Sequence, residues 1–223
     1  MKLVLTKHNN NICEGYAIGK QHKNNFPHHK FRADKPLALV HSYICDPMQT
    51  LSLAKNKYFL LFVDDFSRMS WVYFLSEKSQ AFGCFQKFKA PVEKESGYYL
   101  KSLRTDRGGE FISNEFKYFC SSHGIRKELT TTYSPQQNGI TERRNRTIVE
   151  MARCMLKEMS LSNMYWEDAV HSTVYILNII PTKMIKNSTP YEAWLCKNPS
   201  VSHLKFFGEL NVLFTFLINK DKS

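Results

Sequence analysis

R-T-D-R-G-G-E-F at residues 104–111 and S-P-Q-Q-N-G-I-T-E-R-R-N at residues 134–145 frame the stretch on which the fold turns. Residues 98–105 are spaced as a strand leading into Asp106, and Glu142 falls in the first turn of the basic helix expected over 140–159. A strand end and a helix start can bring two carboxylates together. Such a pair suits a hard divalent cation, which binds oxygen and keeps positions open for phosphate. Any two acids in a chain have some spacing, so the pair gains meaning only from its surroundings.

Upstream, Leu37, Leu39, Val40 and Ile44 mark a first strand that ends at Asp46-Pro47. Residues 58–63 (Y-F-L-L-F-V) and 70–75 (S-W-V-Y-F-L) are apolar, aromatic and β-branched, and the short D-D-F-S-R between them predicts an antiparallel hairpin. Residues 79–95 keep a helical period through Phe82, Phe85 and Phe88, closed by Ser96-Gly97. A short helix is expected over 114–123, ended by Gly124, and a further strand over 125–132. Residues 133–139 are expected to form a polar loop in which Tyr133, Gln136, Gln137 and Asn138 suit contact with phosphates and bases.

The helix over 140–159 carries Ile148, Met151, Ala152, Met155, Leu156 and Met159 on one side, with Arg143, Arg144, Arg146, Arg153 and Lys157 elsewhere. Cations near a helix start oppose its dipole. Phosphate contact therefore explains Arg143, Arg144 and Arg146 better than helix stability does, and a merely solvated charged face is the plain alternative. An amphipathic helix over 164–180 stops at Pro181, and Ser188-Thr189-Pro190-Tyr191-Glu192 starts another. Three strands, a helix, then strands and helices in alternation give an α/β class.

Thirty-one Lys and Arg against 20 Asp and Glu leave a net charge of +11, which favours a polyanionic partner and equally serves solubility. Six cysteines lie scattered without paired spacing, as expected of reduced, mostly buried thiols in an intracellular protein. No apolar run approaches the roughly 18 residues of a membrane span. The chain reads as soluble and intracellular, nuclear or cytoplasmic, with no membrane partner.

Five ordered blocks carry a family resemblance: L-L-F-V-D-D-F-S-R (60–68), W-V-Y-F-L (71–75), L-R-T-D-R-G-G-E-F (103–111), Y-S-P-Q-Q-N-G-I-T-E-R-R-N-R-T (133–147) and P-S-V-S-H-L-K-F-F-G (199–208). Together they resemble the integrase catalytic core of retroviruses and retrotransposons, and within it the copia type, over roughly residues 27–208. The resemblance implies a ribonuclease H-like fold, a mixed five-stranded sheet flanked by helices. It divides the chain into a remnant of a zinc-binding region or linker (1–34), a catalytic core (35–195) and the start of a C-terminal region (196–223). It implies a polynucleotidyl transferase that processes and joins DNA ends, a homo-oligomeric assembly, and Mg²⁺ or Mn²⁺ held by two Asp and one Glu. Asp106 and Glu142 match two of those catalytic, metal-binding acids. Residues 133–139 with Arg143, Arg144, Asn145 and Arg146 match the segment that lies against DNA.

Two departures qualify this. The family's first acid follows His-Ser, and here H-S-Y-I-C-D-P-M (41–48) puts Tyr43 at that position. A phenol with an ordinary pKa of about 10 is a poor ligand for Mg²⁺. Asp46 stands three residues on, and on a regular strand i and i+3 face opposite ways, so it substitutes only if the strand bends. The second departure is C-E-G-Y (13–16), where Tyr16 stands in place of the second cysteine of a zinc pair, so the zinc site is not intact. Asp64 and Asp65 fall in the hairpin and are expected to be structural. Two readings stay open: an integrase core impaired at Tyr43, or an inert DNA- or protein-binding domain from a decayed or co-opted retroelement.

Overall fold

Tyr58–Asp64 (β2) is buried on both faces, and its alternation divides the molecule. Leu60 and Phe62 point into one apolar cluster, while Phe59, Leu61 and Val63 point into another on the far side. In the computed structural model, residues 32–106, 108–129, 135–185 and 188–200 are described, with the backbone alone at 135–138. Around β2 lie Val40–Ile44 (β1), Ser70–Leu75 (β3), Ser102–Thr105 (β4) and Arg126–Leu129 (β5), in the order β3-β2-β1-β4-β5. β1, β2 and β3 pair antiparallel, whereas β4 and β5 run parallel to β1, giving the mixed five-stranded sheet that was expected.

Ala81–Ser96 (α1), Asn114–Ser122 (α2) and the short Pro190–Leu195 (α5) cover one face, and Pro135–Glu158 (α3) and Trp166–Ile179 (α4) cover the other. The first core is aromatic. Phe62 stacks on Phe88 with centroids 4.2 Å apart, and Trp71 meets Trp194 edge to face at 4.9 Å. Each such ring buried contributes about 2–3 kcal/mol. The Trp194 indole also donates to Glu95 at 2.8 Å, fixing α5 against α1. Helix α5 starts as its sequence asks, with a Thr189–Glu192 capping box and Pro190 in the first turn.

Asp64 at the end of β2 and Asp65 just after it hold the turn, as expected. Asp64 accepts from the Leu37 amide and from the amide and hydroxyl of Ser67. Asp65 accepts from the Ala33 amide, Arg68 Nη1 and His41 Nε2, so the buried His41 carries its proton on Nε2. Burial pushes the Asp65 carboxyl up, but the His41 and Ala33 hydrogen bonds and the Arg68 charge outweigh it and hold it at about 2. Burial holds His41 below its ordinary value despite that carboxylate.

Four expectations need correction. Leu37 adopts a left-handed turn with φ 59°, so the first strand begins only at Val40. Tyr98 and Tyr99 are exposed, and β4 starts at Ser102. The loop expected through 139 is helical from Pro135, which puts Glu142 about two turns into α3 and removes the dipole argument about its arginines. Among the five described cysteines, Cys45 and Cys120 are buried, while Cys154 and Cys196 are exposed. Cys13, Tyr16 and Tyr133, and the segments 1–31 and 201–223, lie outside the described residues.

Candidate functional site

Sheet register places Tyr43 beside Asp106. In the parallel pair β1–β4, Val40 faces Leu103 and His41 faces Arg104. Continuing that register two residues on from His41 and Arg104 brings Tyr43 towards Asp106, the first residue beyond β4, and the Asp106 charge acts on the Tyr43 phenol. Tyr43 packs into the cluster under α3, and α3 brings Glu142 to the same place. Burial pushes the Tyr43 phenol up to about 12, and the charges of Asp46, Asp106 and Glu142 all push in the same direction. The hydroxyl therefore stays protonated and neutral at physiological pH.

A cavity of about 580 Å³ opens here, lined among others by Tyr43, Cys45, Asp46, Glu142, Asn145 and Arg146. Asp106 does not line it. The Asp106 carboxylate accepts from the Gly108 amide at 3.1 Å, which ties it to the loop after β4. β1 stops at Ile44, and this break in the regular strand lets Asp46 share the cavity with Tyr43, contrary to the alternation of a continued strand. Cys45 is buried, and burial with the neighbouring Asp46 raises its thiol to about 11, against a hydrogen bond from Asn145.

The remaining DNA-facing candidates separate along α3. Asn145 and Arg146 stand with Glu142 in this cavity. Arg143 is exposed on the other flank. Arg144 turns inward: Nε donates to Ser70 Oγ at 3.0 Å, and Nη2 reaches Leu177 O at 3.2 Å and Asn178 Oδ1 at 3.3 Å. Burial and the nearby Arg68 charge lower its guanidinium to about 10. Arg144 joins α3, α4 and β3 through Nε and Nη2. Gln136, Gln137 and Asn138 belong to the first turn of α3, and their side chains lie outside the described residues. The sequence reading missed Arg153, which lines the cavity further along α3. Spacing of three or four residues from Glu142 through 145, 146, 149 and 153 was the available signal.

A three-acid divalent site does not fit these residues. Among the described residues, no group of three or more His, Cys, Asp or Glu side chains is placed to hold a metal ion. The position beside Asp106 offers a neutral phenol where the chemistry asks for an anionic oxygen. No described helix is long and apolar enough to cross a membrane.

Residues 41–135 match the integrase core domain family. Over 196 residues the chain is 47% identical to a retrovirus-related Pol polyprotein from transposon TNT 1-94 of Nicotiana tabacum, covering 88% of this chain and 15% of that protein. A retrovirus-related Pol polyprotein from transposon RE2 of Arabidopsis thaliana is 33% identical over 88% of this chain and 13% of its own length. The chain thus spans about a seventh of these curated relatives. Among solved structures, the simian T-cell lymphotropic virus intasome in complex with a PP2A regulatory subunit aligns with TM-score 0.60 at 17% identity, over 79% of this chain and 62% of that one. The HTLV-2 integrase catalytic core with magnesium, in a trimeric form, aligns with TM-score 0.55 at 21% identity, over 73% and 99%. These likenesses show the ribonuclease H-like fold of integrase cores.

Proposed function

Because this chain carries an integrase core domain of the copia-type retrotransposon class, we propose that it is a DNA-binding integrase core whose strand-transfer chemistry is silenced at Tyr43. One observation carries the reading: Tyr43 shares a cavity with Glu142 and feels the charges of both Asp106 and Glu142. Asp106 and Glu142 are the family-matched acids that remain for a divalent cation, and the neutral Tyr43 phenol near them supplies bulk without charge. Asn145 and Arg146 beside Glu142 offer an amide and a cation to a DNA phosphate. The long α3 helix is a rigid base for both. The relative with magnesium is an integrase core, and its dimeric and trimeric forms support assembly of several copies here.

The test is a Mn²⁺-supported strand-transfer assay on the natural chain and on Tyr43→Asp. The expected result is joining by the variant alone. Both proteins should bind duplex DNA, with an affinity that falls steeply with salt and does not need metal. An active natural chain would overturn the reading. It would shift attention to Asp46, which shares the cavity, and Asp46→Asn would then abolish the activity. If neither protein binds DNA, the nucleic-acid role itself is wrong.

A further inference from the structure

On the flank of α3 opposite Glu142 lies a second, smaller cavity of about 230 Å³, and its polar lining is Arg68, Arg143, Arg144, Thr147 and Thr182. We propose that this cavity is an anion pocket that takes one phosphate group. It shares no lining residue with the Glu142 cavity, and it gathers Arg143 and Arg144 with Arg68 and Thr182, which the integrase reading does not use.

Three guanidinium groups from two elements meet in one concave space, and no carboxylate lines it among the described residues. Asp65 neutralises Arg68 from the side of the turn, at 3.0 Å. Asp64 adds a second negative charge at Arg68 and Arg32 a positive one, while the Arg68 charge lowers the Arg144 guanidinium. Like charges held together in a partly dry site are costly, and a bound anion relieves them.

The donors are also unspent. Arg68 is buried to 8% exposure, and its Nε has no hydrogen-bond partner within the described structure. Buried donors without partners are rare, and each is costly unless something satisfies it. Arg144 uses Nε and Nη2 on the fold, and Nη1 carries no hydrogen bond among the described residues. Arg143 lies over Gly139, where a Cβ would come within 3.0 Å of its Nη1, so the absent side chain leaves room for the guanidinium to fold back. Thr182 and Thr147 add hydroxyls, although Thr147 Oγ1 also donates to Arg143 O at 3.0 Å. Planar guanidinium donors plus hydroxyls in a small cavity match the tetrahedral oxygens of phosphate better than a carboxylate or a halide.

The phosphate has two possible sources, a free oxyanion or the backbone of a bound nucleic acid. Thermal unfolding of the full chain is measured with pyrophosphate and with inorganic phosphate, against sodium chloride at matched ionic strength. The expected result is a saturable rise in Tm of about 3–5 °C at roughly tenfold excess over the midpoint. Arg143→Gln should remove that rise. Thr147→Glu places a carboxylate in the cavity, so it should raise Tm without any added anion and abolish the response. Duplex DNA binding by Thr147→Glu then separates the sources. Weakened binding assigns the phosphate to nucleic acid, and unchanged binding assigns it to a free oxyanion. No saturable rise in the natural chain, or the same rise in both variants, would overturn the pocket.

Discussion

Replacing Asp65 by Asn keeps the shape of the turn and removes one charge. In the folded chain this carboxyl sits at about 2 against an ordinary 3.8, and each unit is worth about 1.4 kcal/mol. The ionised form is therefore favoured by about 2 kcal/mol. An amide also removes the charge that compensates Arg68 and forfeits one of two acceptors, either Oδ1, shared by His41 and Arg68, or Oδ2, which takes the Ala33 amide. Together these bring the expected loss to about 2–4 kcal/mol. Urea unfolding followed by the fluorescence of Trp71, Trp166 and Trp194 measures it. The pH dependence gives a second check. The folded carboxyl titrates below its unfolded value, so its contribution is complete above pH 4 and is lost as pH falls from about 4 towards 2. His41, also held below its ordinary 6.5, weakens the fold in the same direction, beginning as pH falls through that value. Asp64, which burial pushes up, acts oppositely and is common to both proteins. The natural chain should thus weaken on acidification in two stages, and Asp65→Asn should lack the lower one. A variant within about 0.5 kcal/mol of the natural chain at pH 7, or one with the same acid limb, refutes the reasoning.

Arg144→Gln should cost about 1–3 kcal/mol of stability by releasing Ser70, Leu177 and Asn178, whereas Arg146→Gln should leave Tm unchanged and reduce the slope of log affinity against log salt by about 1. Urea unfolding and salt-titrated DNA binding on both variants separate the roles, and a shared phenotype would contradict the inward placement of Arg144. Thiol labelling under native conditions should modify the exposed Cys154 and Cys196 well before Cys45, whose buried thiol sits at about 11. Mass mapping of the first labelled sites decides this, and early modification of Cys45 counts against the closed packing under α3.

The strands around β2 were legible because six consecutive buried residues leave little choice, and the phenylalanines of α1 mark its core face just as plainly. The start of α3 was not. Gly139 and the amide-rich run before it look like a loop, yet Pro135 is well suited to a first helical turn, and that signal prevails. Arg144 was hidden by its charge. Its place was written in the period 140, 144, 148 and 152, which runs it along the line of Ile148 and Ala152, both buried. Asp46 could not be placed by alternation because alternation stops where β1 does. The meeting of Tyr43 with Asp106 depends on a parallel register between strands far apart in sequence, which no local pattern encodes.

The last strand of the sheet has consequences for solubility. β5 reads R-K-E-L and pairs only with β4 among the described strands, so its outer rim is a row of backbone groups open to a foreign strand. Charge guards that rim. Glu128 answers Arg104 across the pair, and Lys127 bends back to the Phe111 carbonyl and over the Phe116 ring. Any strand that tried to extend the sheet there would have to desolvate Arg126, Lys127 and Glu128 together, a deterrent to fibrous growth of the kind edge strands commonly need.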